Sequence, residues 1–270
     1  MPTSSSGSCE PNRITRRPTL IDKTRDGAVV VLRLNDPERR NALSIPLRLA
    51  LLDALREIEA DTTVRAVVLA GSDKFFCPGG DVTAMGEQPK IAALDRMRIL
   101  HEIVRLMAYS SKPFIAAVEG WAVGGGLSLA MLCDTVVAGQ GARFKAGFGE
   151  IGMAPDTGIL FTLARRVGTG PAKQILLYND VMDCEQAHKL GVVDHVVQAG
   201  SALEHACSLA WKLAQKPPLP IALTRSVLAA GLDDVLLRER EIQAMLFSSS
   251  DHLEGRAAFF EKRPATFHGN

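Results

Sequence analysis

The amino-acid sequence predicts an α/β core of parallel strands covered by helices, followed by a mainly helical C-terminal region. Apolar, β-branched runs at 27–35 and 64–70 are typical of buried strands, and between them segment 44–60 carries apolar residues at helical spacing. Strands and helices that alternate in this way form parallel sheets with helices on their faces. After residue 200 the pattern becomes nearly all helical, which indicates a boundary there.

Each further element is predicted from its own apolar pattern and its boundary residues. Ser44 is placed to cap the first helix, and the apolar residues from Leu47 to Ile58 fall on one of its faces. The further predicted strands are 114–120, 133–139 and 192–197. The further predicted helices are 90–109, 157–167, 171–178, 183–190 and 251–262.

Composition excludes several classes of function. The chain has 270 residues, and its 31 basic residues balance 30 acidic ones, giving a net charge of +1. A nucleic-acid binder needs clustered excess positive charge, so no nucleic-acid partner is expected. No apolar run approaches the roughly 18 residues that would span a membrane, so no membrane partner is expected either.

The cysteines and the N-terminal residues indicate a cytoplasmic protein. The five cysteines are scattered and lack CxxC spacing, as expected of thiols in a reducing compartment without a disulfide frame or a zinc site. No set of residues has metal-ligand spacing. Residues 1–25 are predicted to be a disordered tail and lead-in, because the first dozen are small and polar and do not form a signal peptide.

Two glycine-containing turns carry the chemical signal. Phe76–Asp81 (FCPGGD) follows the second strand, and Gly124–Gly126 follows the third and opens a helix. Such turns leave backbone N–H groups unpaired, with no side chain to block a ligand. Two of them on neighbouring strands can direct two N–H groups at one oxygen, where losing one donor typically costs roughly 3–4 kcal/mol of barrier. Each alone also fits an ordinary tight turn, and neither matches a dinucleotide fingerprint or a P-loop.

Four segments together resemble the enoyl-CoA hydratase/isomerase, or crotonase, superfamily in their order and spacing. The resemblance covers residues 26–267, and the block around the three glycines is its most specific part. The segments are DPERRNAL at 36–43, KFFCPGGDVTAM at 74–85, KPFIAAVEGWAVGGGLSLAMLCDTVVAG at 112–139 and FFEKRPATF at 259–267.

This resemblance implies a crotonase-like spiral of ββα turns over residues 26–200 and a helical trimerisation region over 201–270. It also implies a homotrimer or a dimer of trimers, with an acyl-CoA thioester as substrate and no separate cofactor. The N–H groups of Gly80 and Gly125 would form an oxyanion hole around the thioester carbonyl.

The resemblance further implies where the rest of the substrate lies. Main chain at Gly79, Asp81 and Val82 would contact the adenine end of CoA, and Gly124 would also contact the substrate. Lys262 would reach a CoA phosphate from a neighbouring subunit, although it also fits a solvated lysine near a terminal helix.

Hydratases of this superfamily hold a water with two glutamates, and the sequence departs from them there. The matched positions are Ser128 and Phe148, so both expected carboxylates are absent. Gly152 and Pro155 match the family without a gap, which fixes this alignment. Glu150 could replace the second glutamate only after a two-residue slip that breaks this match.

Asp156 matches the position at which isomerases of the superfamily carry an Asp or Glu. One carboxylate suffices for isomerisation, because it can remove a proton from C2 of a 3-enoyl-CoA and return it at C4. The Pro-Asp-Thr-Gly segment at 155–158 is also a good helix-capping sequence, which is the structural alternative for Asp156.

Three hypotheses therefore remain open from the sequence. The first is an enoyl-CoA isomerase with Asp156 as proton shuttle, the second a hydratase that uses Glu150, and the third a non-catalytic acyl-CoA-binding protein. Specificity for the acyl group is expected to depend on segment 85–110 and the C-terminal helices. Within that segment Met97 fits either the core or the acyl tunnel.

Overall fold

The computed structural model describes residues 19–72, 74–86 and 90–270, and the predicted tail at 1–18 lies outside them. The strands are β1 (Ile21–Asp26), β2 (Val29–Leu34), β3 (Ala66–Ala70), β4 (Phe75–Cys77), β5 (Phe114–Val118), β6 (Trp121–Val123), β7 (Thr135–Gly139), β8 (Arg143–Lys145), β9 (Met182–Asp183) and β10 (His195–Val197). The helices are α1 (Ile45–Ala60), α2 (Lys90–Ala108), α3 (Gly125–Leu132), α4 (Ile159–Val167), α5 (Thr169–Tyr178), α6 (Cys184–Lys189), α7 (Ala202–Ala214), α8 (Pro218–Leu228), α9 (Leu232–Leu246) and α10 (Ser250–Glu261).

The strands form two sheets in the described part of the chain. The larger has the order β1-β2-β3-β5-β7-β10, and the smaller has the order β4-β6-β8-β9. Pairing is parallel except for β1 with β2 and β8 with β9, which are antiparallel. Parallel neighbours need crossover connections, and here the helices provide them.

Three successive turns of the chain repeat one pattern. In each, a strand of the larger sheet leads to a strand of the smaller sheet and then to a helix: β3-β4-α2, β5-β6-α3 and β7-β8-α4. This is the predicted α/β spiral of ββα turns. The repeat places the ends of β4 and β6, and the glycine turns after them, side by side.

Buried apolar side chains cover both faces of the larger sheet. All five residues of β3 and of β5 are buried, which explains their continuous apolar sequences. On one face α7 packs against β3 and β5 through Ala202, Ala206 and Ala210. The division predicted at residue 200 stays a prediction, and the first helix beyond it covers the sheet.

Helices α9 and α10 cover the side of the core on which the glycine turns lie. Helix α9 packs against α2 and α4, and α10 packs against the short 3-10 turn at Gly149–Ile151. These contacts place residues from the last 40 positions of the chain beside the turns that follow β4 and β6.

The boundaries of the long helices were predicted well, and the short strands were missed. Ser44 caps α1, as predicted, because its hydroxyl oxygen accepts a hydrogen bond from the amide of Leu47 at 3.4 Å. Strands β4, β6 and β8 have three residues each, which is too few to show an alternating pattern. Strand β1, part of which lies in the predicted lead-in, is largely exposed and was missed for that reason.

Helix α3 can pack against the turn after β4 only because residue 126 is glycine. A Cβ at Gly126 would lie 2.0 Å from the carbonyl oxygen of Cys77. We therefore expect Gly126→Ala to lower the free energy of unfolding by about 1–3 kcal/mol, the usual cost of overpacking.

The matched control is Gly170→Ala, since Gly170 also lies in a helix but has open space around it. That substitution should leave the stability unchanged or raise it by up to about 1 kcal/mol. Urea unfolding followed by circular dichroism measures both, and equal midpoints for the two variants would contradict the packing argument.

Candidate active site

The two glycine turns meet at the wall of a cleft of about 860 Å³, including its open mouth. Gly80 on the first turn and Gly124 and Gly125 on the second all line this cleft. A Cβ at Gly79 would lie 3.2 Å from the amide nitrogen of Gly125 and 2.8 Å from the carbonyl oxygen of Val123. The two backbones therefore touch, with no side chain between them.

The N–H groups of Gly80 and Gly125 are free within the described part of the chain. The bridge between Leu43 and Gly80 uses the Gly79 carbonyl, which accepts from the Leu43 amide at 2.8 Å, and leaves the Gly80 amide unused. Gly125 is the first residue of α3, so its amide has no partner inside the helix. Both residues line the cleft, so both amides are candidate donors to a ligand there.

Asp156 lies on the same cleft and does not cap a helix. Gly158 is the N-cap residue of α4, and no side chain caps that helix. The carboxylate of Asp156 instead accepts hydrogen bonds from the Thr157 hydroxyl at 2.8 Å and the Gln243 amide at 2.9 Å. The capping alternative is therefore wrong, and the carboxylate is partly open to the cleft.

The loop that carries Asp156 is strained and tightly held. Thr157 is fully buried with φ at 61°, a conformation that a β-branched residue rarely adopts. Such a residue costs of order 1–3 kcal/mol and persists only where the surroundings impose it. Here the following amide, that of Gly158, donates to the buried carboxylate of Glu239 at 3.0 Å.

Burial raises the pKa of Asp156 above its ordinary value of 3.8, because the charged form loses its hydration. The hydrogen bond from Thr157, the positive charge of Arg48 and the hydrogen bond from Gln243 oppose this rise. Burial likewise raises the pKa of Glu239, whose carboxylate lies 3.5 Å from Nε2 of the buried His101. A carboxyl group with a raised pKa is suited to gaining and losing a proton.

Ser128 and Phe148 offer no acid–base group to the cleft. The Ser128 hydroxyl is fully buried and bonds to the carbonyl oxygens of Asp156 at 2.9 Å and Gly124 at 3.2 Å. Phe148 lines the cleft with an apolar ring. Ser128 thus holds the main chain of the Asp156 loop, and Phe148 forms part of the apolar wall of the cleft.

Glu150 also lines the cleft, but its environment differs from that of Asp156. Its side chain is 55% exposed and forms an ion pair with Lys145. It lies in the 3-10 turn at Gly149–Ile151, on which α10 packs. A solvated, ion-paired carboxylate is a weaker candidate for proton transfer at neutral pH than a buried one.

The comparisons with known proteins identify the family. A family model described as enoyl-CoA hydratase/isomerase matches residues 24–270. The chain belongs to this family. A Thermus thermophilus protein named as an enoyl-CoA hydratase is 40% identical over 252 residues, which are 89% of this chain and 98% of the relative. The 1,2-epoxyphenylacetyl-CoA isomerase of Escherichia coli is 33% identical, over 89% of this chain and 95% of that enzyme.

Solved structures of the family share the fold. An enoyl-CoA hydratase from Mycobacterium avium subsp. paratuberculosis superposes with a TM-score of 0.83 and 28% identity, over 92% of this chain and 98% of the other. The protein is therefore a crotonase-type enzyme of the enoyl-CoA hydratase/isomerase family that acts on acyl-CoA. The family contains both hydratases and isomerases, so its name leaves the reaction open.

Not all residues that the family resemblance predicted to bind CoA line the cleft. Val82 does. The side chain of Asp81 caps a short 3-10 turn by accepting from the Thr83 amide at 3.0 Å, and the main-chain contact predicted for Asp81 stays a prediction. Lys262 is exposed at the end of α10, just beyond Phe259, which lines the cleft. Its predicted contact with CoA from a neighbouring subunit stays a prediction.

Sequence reasoning missed several polar residues of the cleft. Arg48 and Arg96 line it, and Gln243 binds Asp156, yet none was predicted. The sequence could have indicated them, because each is a polar residue on a helix face whose other residues are mostly buried. Met97, whose sequence position fits either the core or the acyl tunnel, belongs to the buried core and also lines the cleft.

In the described residues no helix is long and apolar enough to cross a membrane. Nor does this part of the chain contain a cluster of three His, Cys, Asp or Glu side chains that could hold a metal ion.

Gln243 is expected to favour the ionised form of Asp156, because its amide donates a hydrogen bond to the carboxylate. In Gln243→Leu the Asp156 carboxylate loses that donor, so the pKa of Asp156 should rise further. The free energy of unfolding should fall by about 1–3 kcal/mol, since buried polar partners are left unpaired. Carboxyl carbon shifts in an NMR titration and urea unfolding measure the two effects.

The control for this prediction is Gln215→Leu, which changes an exposed glutamine at the end of α7. It should leave the pKa of Asp156 unchanged and alter stability by no more than about 0.5 kcal/mol. A pKa of Asp156 that is the same in all three proteins would rule out the proposed role of the Gln243 amide.

Proposed function

We propose that the protein is an enoyl-CoA isomerase that moves a double bond from C3 to C2 of its acyl group. Asp156 removes a proton from C2, the electrons pass into the thioester carbonyl, and the resulting enolate oxygen accepts hydrogen bonds from Gly80 and Gly125. The same carboxyl group then returns the proton at C4. No proton is gained or lost overall, so neither a second acid nor a bound water is needed.

The observation that carries this proposal is the contrast between the two carboxylates of the described cleft. Asp156 is largely buried, has a raised pKa and is held by Thr157 and Gln243 beside the glycine turns. Glu150 is exposed and paired with Lys145. Preorganised backbone donors stabilise an enolate most where water is excluded, which favours the buried partner.

Hydration through Glu150 is the second candidate, because Glu150 also lines the cleft and hydratases occur among the relatives. Hydration requires a positioned water and a proton donor to C2. Ser128 and Phe148, which occupy the positions matched to the hydratase glutamates, supply neither. Glu150 would therefore have to leave its ion pair with Lys145 and act on the water, beside Asp156, the other carboxylate of the described cleft.

Replacing Asp156 separates these candidates. Asp156→Asn preserves size and the contact with Gln243 but cannot accept the C2 proton, so we expect kcat for 3-enoyl-CoA isomerisation to fall about 10²–10⁴-fold. Binding of a saturated acyl-CoA should persist. The rate is followed through the rise in absorbance as the double bond becomes conjugated with the thioester.

Glu150→Gln is the matched control, since it neutralises the other carboxylate of the cleft and should isomerise at the parental rate. An Asp156→Asn protein that folds and isomerises as fast as its parent would refute the proposal. Rapid hydration of 2-enoyl-CoA that disappears in Glu150→Gln would support the hydratase, and tight binding without turnover of any enoyl-CoA would support a non-catalytic protein.

The pH dependence of isomerisation should report the raised pKa of Asp156. The free enzyme needs an ionised base, so kcat/KM is full above that pKa and is lost as the pH falls through it. Because burial raises the pKa, this loss should occur above pH 3.8, the ordinary value of an aspartate. A pH profile of kcat/KM, with circular dichroism to confirm folding at each pH, measures this.

Glu150→Gln should show the same loss of kcat/KM at low pH, because Glu150 is not the base in the proposed mechanism. Two results would contradict the assignment of Asp156 as the base. One is that kcat/KM falls at a different pH in Glu150→Gln than in the parent, and the other is that kcat/KM stays full at pH 3.8 and below.

A further inference from the structure

Two arginine side chains are buried in the wall of the cleft. Arg48 on α1 is 3% exposed and Arg96 on α2 is 8% exposed, and both line the cleft together with Asp156 and Gly80. A guanidinium group is always charged in a protein at neutral pH, and removing it from water without an anion is costly. Two such groups in one cleft need an explanation.

Neither guanidinium group has a carboxylate partner among the described residues. Arg48 donates through Nε to the Leu43 carbonyl at 2.7 Å and through Nη1 to the Arg96 carbonyl at 3.4 Å. Arg96 donates through Nη1 to the Ala84 carbonyl at 3.2 Å, and its buried Nη2 has no partner. Their hydrogen bonds therefore go to neutral carbonyl groups, and N–H groups, including those of Arg96 Nη2, remain to bind an anion.

The nearby acids Asp156 and Asp81 attract the pair, but neither forms an ion pair with it. The two oxygens of Asp156 are engaged by Thr157 and Gln243, and the Asp81 side chain caps a turn. Burial and the charge of Arg96 lower the pKa of Arg48 to about 10, and burial lowers the pKa of Arg96. The charges of Asp156 and Asp81 oppose this lowering in both arginines, so they balance the positive charge of this wall in part.

Arg48 lies at the reacting end of the cleft, and Arg96 lies near enough to Asp156 for their charges to interact. Nη2 of Arg48 is 3.9 Å from the position that a Cβ on Gly80 would occupy, so it lies beside one of the two proposed oxyanion donors. The guanidinium of Arg96 lies 5.9 Å from the ring centroid of Phe247, which also lines the cleft. An anion bound here would be close to the thioester and therefore part of the acyl group.

We propose that Arg48 and Arg96 bind a carboxylate at the far end of the acyl group. The preferred substrates would then be CoA monothioesters of short, unsaturated dicarboxylic acids. This inference rests on the proposed acyl-CoA site, and it adds the substrate class. Arginine suits the task because its planar donors match a carboxylate in two-point hydrogen bonding.

Equilibrium binding of saturated thioesters tests this without any chemistry. The probes are matched pairs of equal chain length: butyryl-CoA with succinyl-CoA, pentanoyl-CoA with glutaryl-CoA, and hexanoyl-CoA with adipoyl-CoA. Isothermal titration calorimetry should show the parental protein binding the carboxylated member of at least one pair about tenfold more tightly or better. In Arg96→Met that ratio should fall to nearly one.

Arg98→Met is the matched control, since Arg98 lies two residues further along α2 and is exposed. It should preserve the parental ratio in every pair. If Arg96→Met does not fold, Arg96→Gln removes the same charge while keeping polar atoms, and the parental ratio alone still decides the question.

Two results would overturn the proposal. One is a parental protein that binds the neutral member of every pair as tightly as the carboxylated one. The other is an Arg96→Met protein that loses affinity for free CoA by the same factor, because the arginines would then hold a CoA phosphate. Saturated thioesters cannot isomerise, so a failure of the isomerase assignment leaves this measurement unaffected.

Discussion

The candidate site depends on one constraint, the direct contact of two backbone turns at the ends of neighbouring strands. A Cβ at Gly79 would lie 2.8 Å from the Val123 carbonyl oxygen, and a Cβ at Gly126 would lie 2.0 Å from that of Cys77. Any side chain at these positions would separate β4 from α3 and alter the space before the amides of Gly80 and Gly125. The sheet order, which places β4 beside β6, brings the two turns together.

The acid is held by a different part of the chain from the amides. The loop of Asp156 is fixed by Gln243 and Glu239, both on α9, and contains Thr157 in a strained backbone conformation. Buried polar contacts of this kind are costly to break and therefore determine geometry. The C-terminal region thus orients the carboxylate, while the glycine turns of the core provide the amides.

The sequence predicted the fold and part of the site, and the reason for each miss is physical. Long helices and fully buried strands have strong periodic patterns. The glycine turns stand in two segments typical of the family, and Asp156 matches a position at which its isomerases carry an acid. Three-residue strands have no period to detect. The contact between Gln243 and Asp156 joins residues 87 positions apart, which no local pattern encodes. Arg48 did carry a signal, because it shares the buried face of α1 with Leu52 and Leu55.

The most direct test of the account is the carbonyl stretching frequency of a bound saturated acyl-CoA labelled with 13C at C1. Two backbone donors on one thioester oxygen weaken the C=O bond, so isotope-edited infrared spectroscopy should show the band at lower frequency than in water. A band at the aqueous frequency or above it would mean that the amides of Gly80 and Gly125 do not meet on that oxygen.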